Sequence, residues 1–341
     1  MMRVLVVDRY AHWCSRITSG VYVLELAGVD DEFAAYEAEM AASDVTVIAP
    51  GLATARGLTD RVRNLAFTHR ASRLIGTCAP EIATARALVS AANIDRTGTV
   101  AVRAVDVRGS TGIDTQRVER ELGNVLVERG FAVDLENPDH ELRALFAGDT
   151  CALGWIAVAT ERRFGTRQPG ERPFFQPGSM DPMLARALAN MAGAREDATI
   201  LDPMCGTGGI LIEAGLVGAR VVGVDAQAKM VRGTRENLTA FLDGEWGVVR
   251  GDAAALPIAN NSVDGVVFDA PYGRQSKIHG ELTELVQEAL AEAHRVAPRC
   301  VVVGDRPWTQ PANEVGWQTE AAFTRRVHRS LSRYIVVLRR S

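Results

Sequence analysis

The sequence predicts an α/β protein in which a Rossmann-like sheet of seven strands, mostly parallel, follows an α+β region. Three observations carry that expectation. Between residues 199 and 303 short apolar runs alternate with helical stretches, the order that builds a parallel sheet with helices on its faces. A glycine-rich loop joins the first of those runs to the first helix. The chain then finishes in two strand-like runs, from Phe323 to Arg329 and from Tyr334 to Leu338, with a serine-rich turn and no helix between them. A length of 341 residues accommodates two domains or three small ones.

In chain order, Met1 to Asp8 reads as a strand and lacks the long apolar core and cleavage site of a signal peptide, so a cytoplasmic protein is expected. Val21 to Leu26 and Val45 to Ala49 read as strands, and Glu32 to Ala42, Gly57 to Phe67 and Pro80 to Ala92 as helices. Thr99 to Val105 is a strand by its partial alternation, and Thr115 to Arg129 a helix with Val118, Leu122, Val125 and Leu126 on one stripe and Gly130 as its stop. A strand from Ala152 to Ala159 ends this half. Residues 161–178 hold three prolines, three glycines and Arg162, Arg163, Arg167 and Arg172, which reads as a solvated linker. From Asp181 a helix runs through Leu184, Leu188 and Met191. The parallel strands are expected at 199–201, 220–224, 247–250, 263–268 and 300–303, with helices at 210–216, 227–242 and 281–296.

Composition narrows the function. The chain is 47% apolar and 23% charged with a net charge of -4, values of an ordinary globular protein with no global pull toward nucleic acid. No apolar run is long enough to span a membrane. Five cysteines lie far apart with no C-x-x-C pair, and six histidines show no ligand spacing, so neither a metal nor a disulfide framework is expected. Lys229 and Lys277 are the two lysines; nearly every cation is Arg. The last 17 residues are basic through Arg325, Arg326, Arg329, Arg333, Arg339 and Arg340, a solvated face or a phosphate-binding one.

The chemistry sits in the second half. Leu201-Asp202-Pro203-Met204-Cys205-Gly206-Thr207-Gly208-Gly209 follows a strand and opens a helix, where glycines let a ligand approach the backbone and the helix N-terminus. Asp225 ends the next strand, the place of a ribose-binding acid in Rossmann-like sheets, and Asp252-Ala253 follows the one after. Each acid alone is satisfied by capping a turn; together with Asp269 they line one sheet edge. Repeated acids repel a pyrophosphate, the Walker pattern is absent, and the G-x-G-x-x-G spacing fails at its third glycine. A nucleoside carrying a positive centre fits, which points to S-adenosylmethionine. The run Val266-Val267-Phe268 ends in Asp269-Ala270-Pro271-Tyr272-Gly273. A carboxylate, a main-chain carbonyl and a flat ring at the carboxyl end of a buried strand suit a planar base with an exocyclic amino group.

Two resemblances follow. Val133-x-Leu135-x-x-Pro138-Asp139-x-x-Leu142-x-Ala144-x-Phe146, after a strand and a helix, resembles a THUMP domain, which implies RNA binding through shape and phosphates. With Pro173 to Pro182, Asp202 to Glu213 and Asp269 to Arg274, nearly the whole chain resembles the archaeal tRNA guanosine-10 N2-methyltransferase family. That resemblance implies a ferredoxin-like region at 1–60, a THUMP domain at 61–160, a linker at 161–178 and a seven-stranded class I methyltransferase domain at 179–341. It implies S-adenosylmethionine held by Asp202, Cys205, Gly206, Gly208, Asp225, Asp252 and Ala253, and a reaction at Asp269, Ala270, Pro271 and Tyr272. The partner it implies is tRNA, with Arg143, Arg274, Arg326 and Arg329 expected to touch it; no metal, no membrane and a monomer are expected. The product it implies is mono- or dimethylguanosine, with position 10 expected as the first target. Another tRNA or rRNA guanosine, an adenine N6, or tRNA binding without turnover remain the alternatives. One departure stands out: the family's Asp-Pro-Pro-Tyr has Ala270 in place of its first proline, which removes a source of loop rigidity.

Overall fold

The chain divides into two compact units, residues 1–161 and 162–341, each built on its own sheet. The computed structural model describes residues 20–272, 276–328 and 331–340.

In the first unit, β1 (Val21–Leu26), β2 (Ser43–Ala49), β3 (Leu52–Arg56), β4 (Thr68–Cys78), β5 (Thr99–Asp106), β6 (Ala132–Val133), β7 (His140–Ala147) and β8 (Thr150–Ala159) form one mixed sheet in the order β2-β3-β1-β4-β8-β7-β5-β6. Its helices are α1 (Asp31–Ala38), α2 (Ile82–Ala91) and α3 (Thr115–Glu128). The two segments expected as separate modules share this sheet, because β4 pairs antiparallel with both β1 and β8. The stripe on α3 is buried as its spacing requires, with Val118 and Leu122 fully covered, and Asp114 caps the helix by accepting from the Arg117 N–H at 3.0 Å.

The expected helix from Gly57 to Phe67 is instead a 3-10 turn, Asp60–Asn64, followed at once by β4. The reason lies in Glu37, a fully buried acid on α1 whose two oxygens accept from the Ala66 and Phe67 N–H groups at 2.7 Å each. Those donors are thereby taken out of any helical ladder. Arg143 also departs from expectation. It is 5% exposed on β7, and its guanidinium forks onto the Glu25 carboxylate on β1 at 2.8 and 2.9 Å. It therefore ties the sheet together and is not a surface for RNA.

In the second unit, α4 (Pro182–Met191) begins at Asp181, whose carboxylate accepts from the Met183 and Leu184 N–H groups. Then come β9 (Thr199–Asp202), α5 (Gly209–Leu216), β10 (Arg220–Asp225), α6 (Ala228–Phe241), β11 (Trp246–Arg250), β12 (Gly265–Asp269), α7 (Ser276–Val296), β13 (Arg299–Gly304), α8 (Thr309–Glu314), β14 (Gln318–His328) and β15 (Leu331–Arg339). The sheet order is β11-β10-β9-β12-β13-β15-β14, parallel except where β15 pairs antiparallel with β13 and β14. The terminal hairpin is therefore inserted into the sheet edge as its sequence suggested. Continuous apolar runs make the middle: Val266, Val267 and Phe268 on β12 and Val301, Val302 and Val303 on β13 are fully buried, as a sheet covered on both faces demands. Strand order reverses at β9, with β10 on one side and β12 on the other, and a crevice at such a point is where open α/β sheets take their ligands.

Residues 161–178 are largely exposed but are anchored by two of their arginines. Arg167 and Arg172 are 9% and 5% exposed, and Arg167 reaches the fully buried Glu213 of α5 at 2.7 Å, where Arg186 of α4 joins it at 2.9 Å. The sequence encodes this through Glu213, an acid in an otherwise apolar helix that must find cations once buried.

Candidate active site

Three short stretches meet at the carboxyl edge of β9 and β12. The loop after β9 turns through Gly206 (φ 52°) and Gly208 (φ 76°), backbone that glycine adopts freely. Gly208 also lies so close to α6 that an added Cβ would stand 2.7 Å from Thr234 Cγ2. Thr234 holds the turn by donating its hydroxyl to the Gly206 carbonyl at 2.7 Å, and the Asn237 amide donates to the Thr207 and Phe174 carbonyls. Asp225, at the end of β10, accepts from the Gly206 N–H at 3.0 Å and the Gln227 N–H at 2.8 Å. The loop is thus fixed from α6 and β10 before any ligand arrives.

A cavity of about 200 Å³ opens over this loop. The loop and α5 give it Met204, Cys205, Gly206, Thr207, Gly209 and Ile210, α6 gives Met230, the segment before α4 gives residues 176–180, and the carboxylates are Asp202 and Asp269. Complete burial holds the Asp202 carboxyl far above the usual aspartate range; a hydrogen bond from the Met204 N–H opposes this, and the nearby Asp225 and Asp269 charges add to it. Burial also raises Asp269, against the pull of Arg333 and a hydrogen bond from Tyr272. Burial pushes the Cys205 thiol up, so it is neutral and no nucleophile. Acids paired in one cavity with a helix N-terminus, and no basic cradle, suit a nucleoside bearing a cation and not a pyrophosphate.

At the end of β12 the Ala270 N–H donates to the Val303 carbonyl at 2.8 Å, extending the β12–β13 ladder by one residue. The ladder restrains the loop where the family's proline would, and a proline could not make this bond. Pro271 and Tyr272 are exposed, and the Tyr272 hydroxyl donates to Asp269 Oδ1 at 2.6 Å. Arg333 of β15 stands behind both, its Nε 3.2 Å from the Tyr272 hydroxyl and its Nη2 3.6 Å from Asp269 Oδ2.

Of the residues singled out in the sequence, Asp202, Cys205, Gly206 and Asp269 therefore line one cavity, with Gly208 and Asp225 supporting it. Asp252 and Ala253 follow β11, two strands from β9, and do not line it; the Asp252 carboxylate accepts from the Ala254 N–H at 3.0 Å. Arg326 is exposed on β14, while Arg274 and Arg329 lie outside the described residues. Sequence reasoning missed Ser179, Thr207, Met230 and Arg333. Ser179 and Thr207 join through their hydroxyls at 3.1 Å. For Arg333 a signal existed: it shares parity with Ile335 and Val337, which face inward on the same strand.

This sheet order, glycine loop and strand-end acid define a class I methyltransferase domain. Residues 169–334 match the family described as RMKL-like, methyltransferase domain, and residues 82–155 match the THUMP domain. The tRNA (guanine(10)-N2)-dimethyltransferase of Methanothermobacter thermautotrophicus is 37% identical over 82% of this chain and 84% of its own length. Enzymes of the same name from Methanocaldococcus jannaschii and Pyrococcus abyssi are 33% and 31% identical, over 73% and 71% of this chain and 72% and 74% of theirs. The chain belongs to the archaeal tRNA (guanine(10)-N2)-dimethyltransferase family.

Proposed function

We propose that this protein methylates the exocyclic N2 amino group of a guanosine in tRNA, position 10 first, using S-adenosylmethionine and giving the mono- or dimethylated base. The carrying observation is that Asp269 and the glycine loop line one cavity. The cofactor supplies an electrophilic methyl group when bound; Asp202, Cys205, Gly206, Gly208 and Asp225 are its binding residues, with Asp252 and Ala253 at the outer edge.

A guanine amino group is a poor nucleophile because its lone pair is delocalised into the ring. The Asp269 carboxylate and the main-chain carbonyl of residue 270 accept its two hydrogens, which localises that lone pair and aims it. Such catalysis is positioning and electrostatic preorganisation. Pro271 stiffens the turn, and Tyr272 stacks on the guanine once the base has left its helix. Because the acceptor at 270 is main chain, alanine serves as well as proline. Residues 61–160 grip the tRNA as a THUMP domain after a ferredoxin-like 1–60, and Arg326, with Arg274 and Arg329, meets its backbone. The enzyme works as a monomer in the cytoplasm, without metal; no helix among the described residues is long and apolar enough to cross a membrane.

The test is mass spectrometry of nucleosides from tRNA incubated with the protein and labelled cofactor. Methylguanosine is expected, mapped to position 10 by digestion, and Asp269→Ala should abolish it while cofactor binding persists. Label on adenosine, on another guanosine, or on nothing would each replace the reading with the corresponding alternative.

A further inference from the structure

Asp269 has two oxygens, and the structure divides them between two partners of unequal freedom. Oδ1 takes the Tyr272 hydroxyl at 2.6 Å and Oδ2 faces the Arg333 guanidinium at 3.6 Å. Tyr272 is 42% exposed on the loop beyond Pro271, so its side chain has room to turn. Arg333 is 7% exposed on β15, a strand paired on both sides by β13 and β14, so it has none. An amino group arriving at Asp269 can displace the tyrosine hydroxyl from Oδ1; it cannot displace the arginine.

We infer that Arg333 is a positioning residue that keeps Asp269 ionised and turns Oδ1 toward the substrate amino group, with the Tyr272 hydroxyl holding that oxygen until the base arrives. This rests on the reading of Asp269 as the acceptor for the N2 hydrogens. The charges around Asp269 give the arginine its importance. Across the crevice β9 presents the Asp202 carboxyl, β13 presents the apolar Val303 opposite Asp269, the loop presents the neutral Tyr272, and β15 presents Arg333. Burial favours a protonated Asp269, which would donate where it must accept. The guanidinium opposes it. It also bonds the Tyr272 hydroxyl at 3.2 Å, so that when the ring swings onto a base the same arginine is left facing the carboxylate.

The experiment compares wild type, Arg333→Met, Arg333→Lys and Tyr272→Phe in the full chain. It measures single-turnover methyl transfer to tRNA across pH, S-adenosylhomocysteine binding by calorimetry, and the Asp269 carboxyl midpoint by carbon-13 aspartate NMR assigned with Asp269→Asn. Arg333→Met should move the acid limb of the rate profile and the Asp269 midpoint upward by about one pH unit, a roughly tenfold loss on that limb that alkaline pH restores. S-adenosylhomocysteine affinity should stay unchanged, Arg333→Lys should move the limb back, and Tyr272→Phe should move it by less than Arg333→Met does, since the hydroxyl is the smaller of the two pulls on Asp269. An unmoved midpoint in Arg333→Met overturns the inference, as does a loss that is equal at every pH and not relieved by lysine. Should wild type methylate no guanosine while the midpoint still moves, the assigned reaction falls and the electrostatic role of Arg333 stands.

Discussion

Glu213→Ala should strip the methyltransferase unit of a buried junction. The acid is fully covered on α5, with Arg167 Nε at 2.7 Å and Nη2 at 3.2 Å, and Arg186 Nη2 at 2.9 Å. Arg167 and Arg186 also lie 5.3 and 5.9 Å from the Phe164 ring, so both cations are pinned within a few ångströms of one another. Deleting the carboxylate leaves two guanidinium groups in a desolvated site without this anion. Removing one partner of a buried ion pair typically costs about 3–5 kcal/mol. Glu213→Gln keeps an acceptor and should cost about 1–3 kcal/mol, the range for a buried hydrogen-bonding group left poorly matched. Denaturant unfolding followed by tryptophan fluorescence measures the change. Limited trypsinolysis supplies a local readout: Arg167 and Arg172 are buried in the native fold and should become cleavable in Glu213→Ala before the rest of the unit is lost. A shift below about 1 kcal/mol with an unchanged tryptic pattern would refute the reasoning, since it would mean that residues 162–178 dock without this acid.

Three further outcomes follow from the site. Tyr272→Ala should slow methyl transfer by roughly 1–3 kcal/mol of lost base stacking, read as kcat/KM on tRNA with S-adenosylhomocysteine affinity unchanged; an unaltered rate would argue against a flipped guanine. Gly208→Ala forces a side chain into left-handed backbone against Thr234 Cγ2, a strain of about 1–2 kcal/mol, and calorimetry should show weaker cofactor binding. Asp202→Asn should stabilise the ligand-free protein at neutral pH. Burial raises the folded-state value of Asp202, so the native state binds its proton more tightly than the unfolded one. Stability therefore falls as pH rises from the ordinary aspartate range through that raised value. The variant lacks this loss, and its melting temperature should exceed wild type at neutral pH and converge with it in acid. A lower melting temperature at neutral pH would reverse the assignment.

The parallel half was legible because burial on both faces leaves a simple trace: continuous apolar runs, each closed by an acid or glycine. The terminal hairpin was legible for a different reason, the want of a helix between two strands. β3 and β4 were not foreseen. β4 is built from Thr68–Cys78, an arginine- and alanine-bearing run with helical appearance, and it becomes a strand because β1 and β8 pair with it and Glu37 captures the amides just before it. Pairing across 73 to 89 residues, from Cys78↔Cys151 to Arg70↔Ala159, leaves no local trace. Arginine misled for a related reason. Arg143, Arg167, Arg172 and Arg333 read as surface cations, yet each is buried, and burial is decided by distant carboxylates such as Glu25, Glu213 and Asp269. At the site, the glycine loop and Asp269 announced themselves by residue type, whereas Ser179 and Met230 enter the cavity only through tertiary packing.

The alanine in the Asp-Ala-Pro-Tyr motif has a consequence for observation. Relatives with proline at that position carry no amide proton between the strand-end acid and the ring. Here Ala270 has one, buried and bonded to Val303 at 2.8 Å. Its hydrogen-exchange rate reports the opening of the β12–β13 edge directly beside the Asp269 carboxylate. This chain thus carries an endogenous spectroscopic reporter inside its Asp-Ala-Pro-Tyr motif, able to register whether tRNA docking loosens or tightens the loop without any label being introduced.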